Sequence, residues 1–360
     1  MFGCGLLAVL AVALAMIPTL SSGGWSLTAL PRVDSRTTLG ADARTVDPGF
    51  RTTRTDAYDG QFYWGTAVDP LAVGAVHNAF DKPSYRYGHP LYGWLGWILS
   101  AGQSQSAAAA LAVVGVASLF AAAVAAAALG LGRGRSGWEG LFVALNPGLI
   151  SSAVHDLAEP LATAVVLGSF LAYVRGRRAL AWIGFALLPL AKEPLVLVIC
   201  AVVGWELIQR RGRVAAAFAA AAIPALVWWS YARIHLGAWF TSGGTALASP
   251  LSGWHKALFE TSSTATRSAA VAVLVLLLIV LTFAALRALR SRGPVELSYL
   301  ALFAVALCLA PNATVAFSTA LRNTSFLLAL VPFVLVLPSL VPISRVRNAS
   351  GAATRHRLDV

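Results

Sequence analysis

Apolar runs long enough to cross a lipid bilayer recur from one end of this chain to the other, and short arginine clusters punctuate them. A run of roughly 17–25 apolar residues has the length of a transmembrane helix. The pattern therefore restricts the fold to an all-α, polytopic bundle of transmembrane helices. Long alternating strands are missing, which disfavours an outer-membrane barrel. Mean hydropathy of +0.73, with 12% charged residues, points the same way. The formal charge of +12 would suggest nucleic acid in a soluble protein. Here the basic residues lie between apolar runs, where topology signals belong, so no nucleic-acid partner is expected.

The arginine clusters are Arg133/Arg135, Arg175/Arg177/Arg178, Arg210/Arg211/Arg213, Arg287/Arg290/Arg292 and a tail from Arg345 to Arg357. With every cluster on the cytoplasmic side, each interval between clusters must cross outward and return. The paired segments are 138–153 with 157–174, 179–191 with 194–208, 214–232 with 269–288, and 295–310 with 322–341. Adding 4–20 and 105–131 gives about ten crossings with both termini cytoplasmic. This divides the chain into a single membrane domain, 1–344, and a basic tail, 345–360, with a long first extracytoplasmic loop at 21–104. The start, "MFGCGLLAVLAVALAMIPTL", lacks a basic leader and a clear A-x-A site, and reads as an uncleaved first helix.

The same assignment carries the remaining polar groups to one face. The first loop, "HDLAEP" (155–160), "AKEP" (191–194), the 233–268 loop and Arg322 all fall on the outer side. Two segments are too short to span. "HPLYGWLGWILS" (89–100) is rich in Trp and Tyr and reads as an interfacial helix. The hairpin between Arg178 and Arg210 has about 31 residues where two crossings need roughly 40. Its turn, at Lys192 and Glu193, then stays at membrane depth, where a lone lysine costs roughly 2.5–3.5 kcal/mol. Lys192 needs a partner, either Glu193 or an anionic ligand.

Several groups could carry chemistry. Asp59 precedes Gly60, which permits a tight turn that presents the carboxylate; Tyr58 and Tyr63 flank it and could stack on a sugar ring. The plainer reading is a surface Asx-turn. Arg86 and His89, in "YRYGHPL" (85–91), could grip phosphate or act as snorkelling anchors. Asp156 and Glu159, three apart, share a helical face and could form a capping box, orient an acceptor or ligate a divalent cation. Oxygen-only ligands would suit Mg²⁺ or Mn²⁺. Arg322 stands at the outer end of the last crossing, and His235 and His255 read as ordinary loop residues. Cys4, Cys200 and Cys308 lie inside apolar runs and form neither a disulfide framework nor a metal cluster. There is no Walker loop and no GxGxxG in strand context, so a donor should arrive through the membrane.

"DGQFY" (59–63), "YRYGHPLYGWL" (85–95), "HDLAEP", "LAKEP" and the late Arg322 together resemble the polytopic GT-C glycosyltransferases over residues 50–340. The resemblance implies an enzyme that uses a polyprenyl-phosphate sugar, often mannose, with an acidic residue of the first outer loop as base. On that basis Asp59 is the expected general base. Arg86, His89, Lys192 and Arg322 are the expected donor-phosphate groups, and Asp156, Glu159 and Glu193 orient the acceptor or a metal. The expected acceptor is an extracytoplasmic glycan or lipid. The chain departs from the family pattern at His89, where a second Arg-type residue is expected. A secondary transporter or flippase-like protein of envelope assembly is the alternative, although no internal repeat is visible.

Overall fold

The computed structural model describes residues 1–242, 247–259, 266–291, 293–314 and 317–336, so the basic tail lies outside the described residues. Among these, the architecture is all-helical apart from two isolated bridges, Asp34 to Thr53 and Leu247 to Leu309. Five helices precede the centre of the bundle: α1 (Phe2–Ser22), α2 (Thr38–Val46), α3 (Gly60–Val68), α4 (Pro83–Arg86) and α5 (Leu91–Leu99). Then come α6 (Ala107–Leu131), α7 (Glu139–Ala144), α8 (Pro147–Val154), α9 (Glu159–Val174) and α10 (Arg178–Ala191). The chain continues through α11 (Val196–Ile208), α12 (Gly212–Ala219), α13 (Ile223–Leu236) and α14 (Ser252–Phe259). It closes with α15 (Thr266–Ser291), α16 (Pro294–Leu307), α17 (Pro311–Thr314) and α18 (Phe317–Val336).

Among the described residues, five helical stretches are long and apolar enough to cross a membrane: Phe2–Ser22, Ser104–Leu131, Gly212–Leu236, Ala270–Ser291 and Ser318–Leu335. The others expected from the arginine pattern are short or broken, for local reasons. Segment 138–153 divides at Asn146-Pro147, where the Asn146 carboxamide accepts from the N–H groups of Gly148 and Leu149 and caps α8. The α10–α11 pair has 14 and 13 residues, rising roughly 20 Å each against roughly 30 Å of hydrocarbon. Pro194 cannot continue α10 without losing a backbone bond. Lys192 instead turns to an extended conformation (φ −157°, ψ 129°) and a 3₁₀ turn, Glu193–Leu195, leads into α11.

Alanine-rich α6 is the central post. Its small buried faces at Ala122, Ala123 and Ala126 let α1, α7 and α9 pack closely, as hydrocarbon-embedded helices do where hydrophobic expulsion is absent. The first loop folds onto this post with a core of its own. Trp64, Tyr87 and Tyr92 are fully buried, and the Tyr92 hydroxyl donates to the Leu111 carbonyl at 2.8 Å. From α13, the Trp228 and Trp229 indoles donate to the carbonyls of Tyr87 and Gly88 at 2.6 and 2.8 Å. Segment 85–91 is thereby clamped over the bundle. The helix expected at 89–100 is α5, with Tyr92 and Gly93 buried and Trp97, Ile98 and Leu99 exposed.

Asp69, which shares the polar stretch with Asp59, shapes the loop after α3. Its carboxylate accepts from the N–H groups of Val73 and Gly74 at 2.9 Å and lies 3.0 Å from His77 Nδ1. His235, expected in a loop, sits instead on α13 and bonds the Ala72 carbonyl at 2.6 Å. His255 likewise belongs to a helix, α14.

Asn146 also donates to the Ser325 carbonyl of α18 at 3.0 Å. Asn146→Ala removes a cap and an interhelical bond from a buried place, a loss of roughly 1–3 kcal/mol. The expected outcome is a lower unfolding midpoint in detergent; an unchanged midpoint contradicts this role.

Candidate active site

Asp59 stands just before α3 with helical dihedrals, and its side chain makes no capping bond. The Asx-turn is therefore not formed, and the carboxylate is free for other partners. Gly60 has a steric reason: a Cβ there would lie 2.2 Å from the His155 carbonyl oxygen and 3.0 Å from that of Pro31. Only glycine lets α3 begin this close to the turn that leads into α9. Asp59 is thereby brought to the floor of a cavity of about 420 Å³.

Two guanidiniums hold the Asp59 carboxylate. Arg86, at the end of α4, places Nη1 3.0 Å from Oδ1, and Arg322, on α18, places Nη2 2.9 Å from Oδ2. Arg86 also forks onto Asp81 at 2.9 and 3.0 Å and lies 3.7 Å above the Phe62 ring. Arg322 reaches on to Glu159, with Nε 3.3 Å from Oε1, and Lys192 Nζ meets that same oxygen at 2.6 Å. The result is one chain of alternating charge: Asp81, Arg86, Asp59, Arg322, Glu159, Lys192. Glu159 is 2% exposed while the Asp59 side chain is 36% exposed, so the chain is buried at one end and open in the middle. Burial opposes ionisation of Asp59, but Arg322 and Arg86 outweigh it and hold the carboxyl down at about 2.

The sequence-based expectations sort as follows. Tyr58, Asp59, Tyr63, Arg86, His89, Glu159, Lys192, Glu193 and Arg322 all line this one cavity. The partner of Lys192 is Glu159, from the neighbouring helix, while the adjacent Glu193 turns to His89, with Oε1 2.6 Å from Nδ1. Asp156 is outside the lining. It is fully buried at φ 51° and neither carboxylate oxygen has a partner. Burial pushes its carboxyl well above the usual carboxylate range, so it offers the cavity neither charge nor ligand. No capping box forms, since α9 follows Ala158 without a side-chain cap. Tyr63 is 7% exposed, and its ring packs against His89 and Tyr92, which leaves little face for a sugar. The Tyr58 ring lies 5.2 Å from the Arg322 guanidinium.

Among the described residues no group of three or more His, Cys, Asp or Glu is arranged for a metal ion. Sequence reading passed over Asp81, Lys82, Tyr85 and Asn323. The five-residue spacing of Asp81 and Arg86 was the one available signal. The Asn323 amide donates to the Ala313 carbonyl at 3.1 Å. Val305, Ala306, Leu309, Ala313 and Phe326 also line the cavity. It thus offers both charged and apolar surface.

No family model matches the chain, and no curated protein or solved structure gives a significant match. Its chemistry is argued from the cavity.

Glu159 neutralises two cations at once. Removing one member of a buried ion network leaves an uncompensated charge, at roughly 3–5 kcal/mol. Glu159→Gln should lower the unfolding midpoint in detergent well below that of Asp81→Asn, which acts at the exposed end; equal midpoints contradict the network.

Proposed function

We propose that this membrane protein is a glycosyltransferase that moves a sugar, mannose-like, from a polyprenyl-phosphate donor to a glycan or lipid acceptor on the extracytoplasmic face. The observation that carries the reading is the mixed lining of the cavity. Arg86, Arg322 and Lys192 line it together with the apolar residues Val305, Leu309 and Phe326. That is the pair of surfaces a phosphate on a hydrocarbon chain requires. The resemblance of "DGQFY" and "YRYGHPLYGWL" to the GT-C enzymes supports the same class.

In this reading the donor phosphate takes the place of a carboxylate beside Arg322 and Lys192. Charge grows on the phosphate as the bond to the anomeric carbon breaks, so cations fixed there stabilise the transition state more than the ground state. The acceptor oxygen attacks from the opposite face, and the configuration inverts. Asp59 is the catalytic carboxylate at the centre of the charge chain, either as base or as holder of both guanidiniums. Sidedness follows the arginine pattern: about ten crossings, both termini cytoplasmic and the cavity outside.

Asp59→Asn should lower sugar transfer from radiolabelled polyprenyl-phosphate mannose by at least about 100-fold, with insertion unchanged. Wild-type turnover removes Asp59 from the mechanism, and transport of labelled lipid without product supports the transporter alternative. Lys192→Ala should raise the donor KM, with Lys192→Arg a poor rescue; unchanged donor kinetics in both make the lysine structural.

Sidedness has its own test, with Cys4, Cys200 and Cys308 replaced by alanine. Thr55→Cys should react with an impermeant thiol reagent in intact cells, and Ala179→Cys only after permeabilisation. The reverse pattern inverts the topology.

A further inference from the structure

A transfer step needs a group that can take the acceptor proton. Each Asp59 oxygen accepts one guanidinium N–H, so the carboxylate is shared between Arg86 and Arg322. Glu159 Oε1 is shared by Lys192 and Arg322, and its Oε2 is buried out of reach. His89 is different. Its Nδ1 lies 2.6 Å from Glu193 Oε1. A carboxylate can only accept, so Nδ1 carries a proton, and in the neutral imidazole Nε2 holds the lone pair. His89 lines the cavity, and among the described residues its Nε2 has no partner.

The surroundings fix this arrangement. The Tyr63 and Tyr85 rings stand edge-on to the imidazole with centroids 5.6 and 5.8 Å away. The preceding carbonyl, Gly88, is held by the Trp229 indole at 2.8 Å. Gly88 also leaves the room that Glu193 uses: a Cβ there would lie 2.5 Å from Glu193 Oε1 and 3.0 Å from Phe240 Cβ. Glycine at 88 and glutamate at 193 therefore act together to aim the ring. Asp59, held at about 2 by Arg322 and Arg86 against the effect of burial, is a weak proton acceptor while both stay in place.

We propose that His89 is the proton acceptor of the transfer step, that Glu193 is its positioning residue, and that Asp59 serves to hold Arg86 and Arg322. The proposal rests on the transferase reading. The acceptor oxygen forms its bond to the anomeric carbon as the bond from that carbon to the phosphate oxygen breaks, and the electron pair leaves with the phosphate. The hydroxyl proton passes to His89 Nε2. Glu193 stabilises the imidazolium, which returns its proton to water after the polyprenyl phosphate departs.

The test measures transfer from radiolabelled polyprenyl-phosphate mannose, with the full-length protein in membranes that supply the acceptor. His89→Gln should lower kcat by about 100-fold or more while the donor KM stays within about threefold. Glu193→Gln should lower kcat by about tenfold or more, with Glu193→Asp recovering part of it. Gly88→Ala keeps both side chains but displaces the Glu193 carboxylate, and should reproduce the kcat loss of Glu193→Gln. A His89→Gln enzyme with wild-type kcat overturns the proposal, and so does one whose defect is confined to donor KM, which would make His89 a phosphate ligand; both leave the transferase reading standing. A wild-type protein that transfers no sugar removes that reading, and this proposal with it.

Discussion

Charge inside a largely hydrocarbon protein must be compensated or it will not stay, and the rest of the structure is organised around that requirement. An isolated buried ion costs several kcal/mol even after relaxation. Here each ion is neutralised by a residue from a different element. Asp81 and Asp59 come from the first loop, Arg86 from α4, Arg322 from α18, Glu159 from the start of α9, and Lys192 from the end of α10. Asp59 and Arg322 are 263 positions apart in the chain. A single network therefore fastens the loop that follows the first helix to the last described helix, and it is bedded on a backbone held by Trp228 and Trp229.

Such a network suits a site that must accept an anion. At rest Arg86, Arg322 and Lys192 are already paired with carboxylates. An incoming phosphate exchanges one anionic partner for another around Arg322 and Lys192, and the guanidinium fork favours a planar or tetrahedral oxyanion over a point charge. In the proposed function, Val305, Leu309 and Phe326, which line the same cavity, give the donor's hydrocarbon chain its place beside that exchange.

Much of this could be read from residue order, and the failures have physical causes. The arginine clusters led to the expectation that the scattered polar groups share one face, and nine of the residues singled out line one cavity. Periodicity and length marked the long helices such as α1 and α6, yet could not separate a full crossing from the short pair α10 and α11. Pairing was the least legible level. Lys192 stands next to Glu193 in sequence, but an extended backbone at 192 turns the two side chains apart, one to Glu159 and the other to His89. Asp156 followed the helical spacing rule with Glu159, but its left-handed backbone at φ 51° takes it off that face. Neither dihedral is written in composition or spacing.

The most direct measurement is a structure of the full chain in a lipid nanodisc with polyprenyl phosphate, the leaving group alone. The account predicts phosphate density in the cavity within hydrogen-bond distance of Arg322 and Lys192, its chain along Val305, Leu309 and Phe326, and at least one of these two cations drawn from Glu159. Phosphate bound elsewhere on the protein, with the charge chain from Asp81 to Lys192 intact, would contradict it.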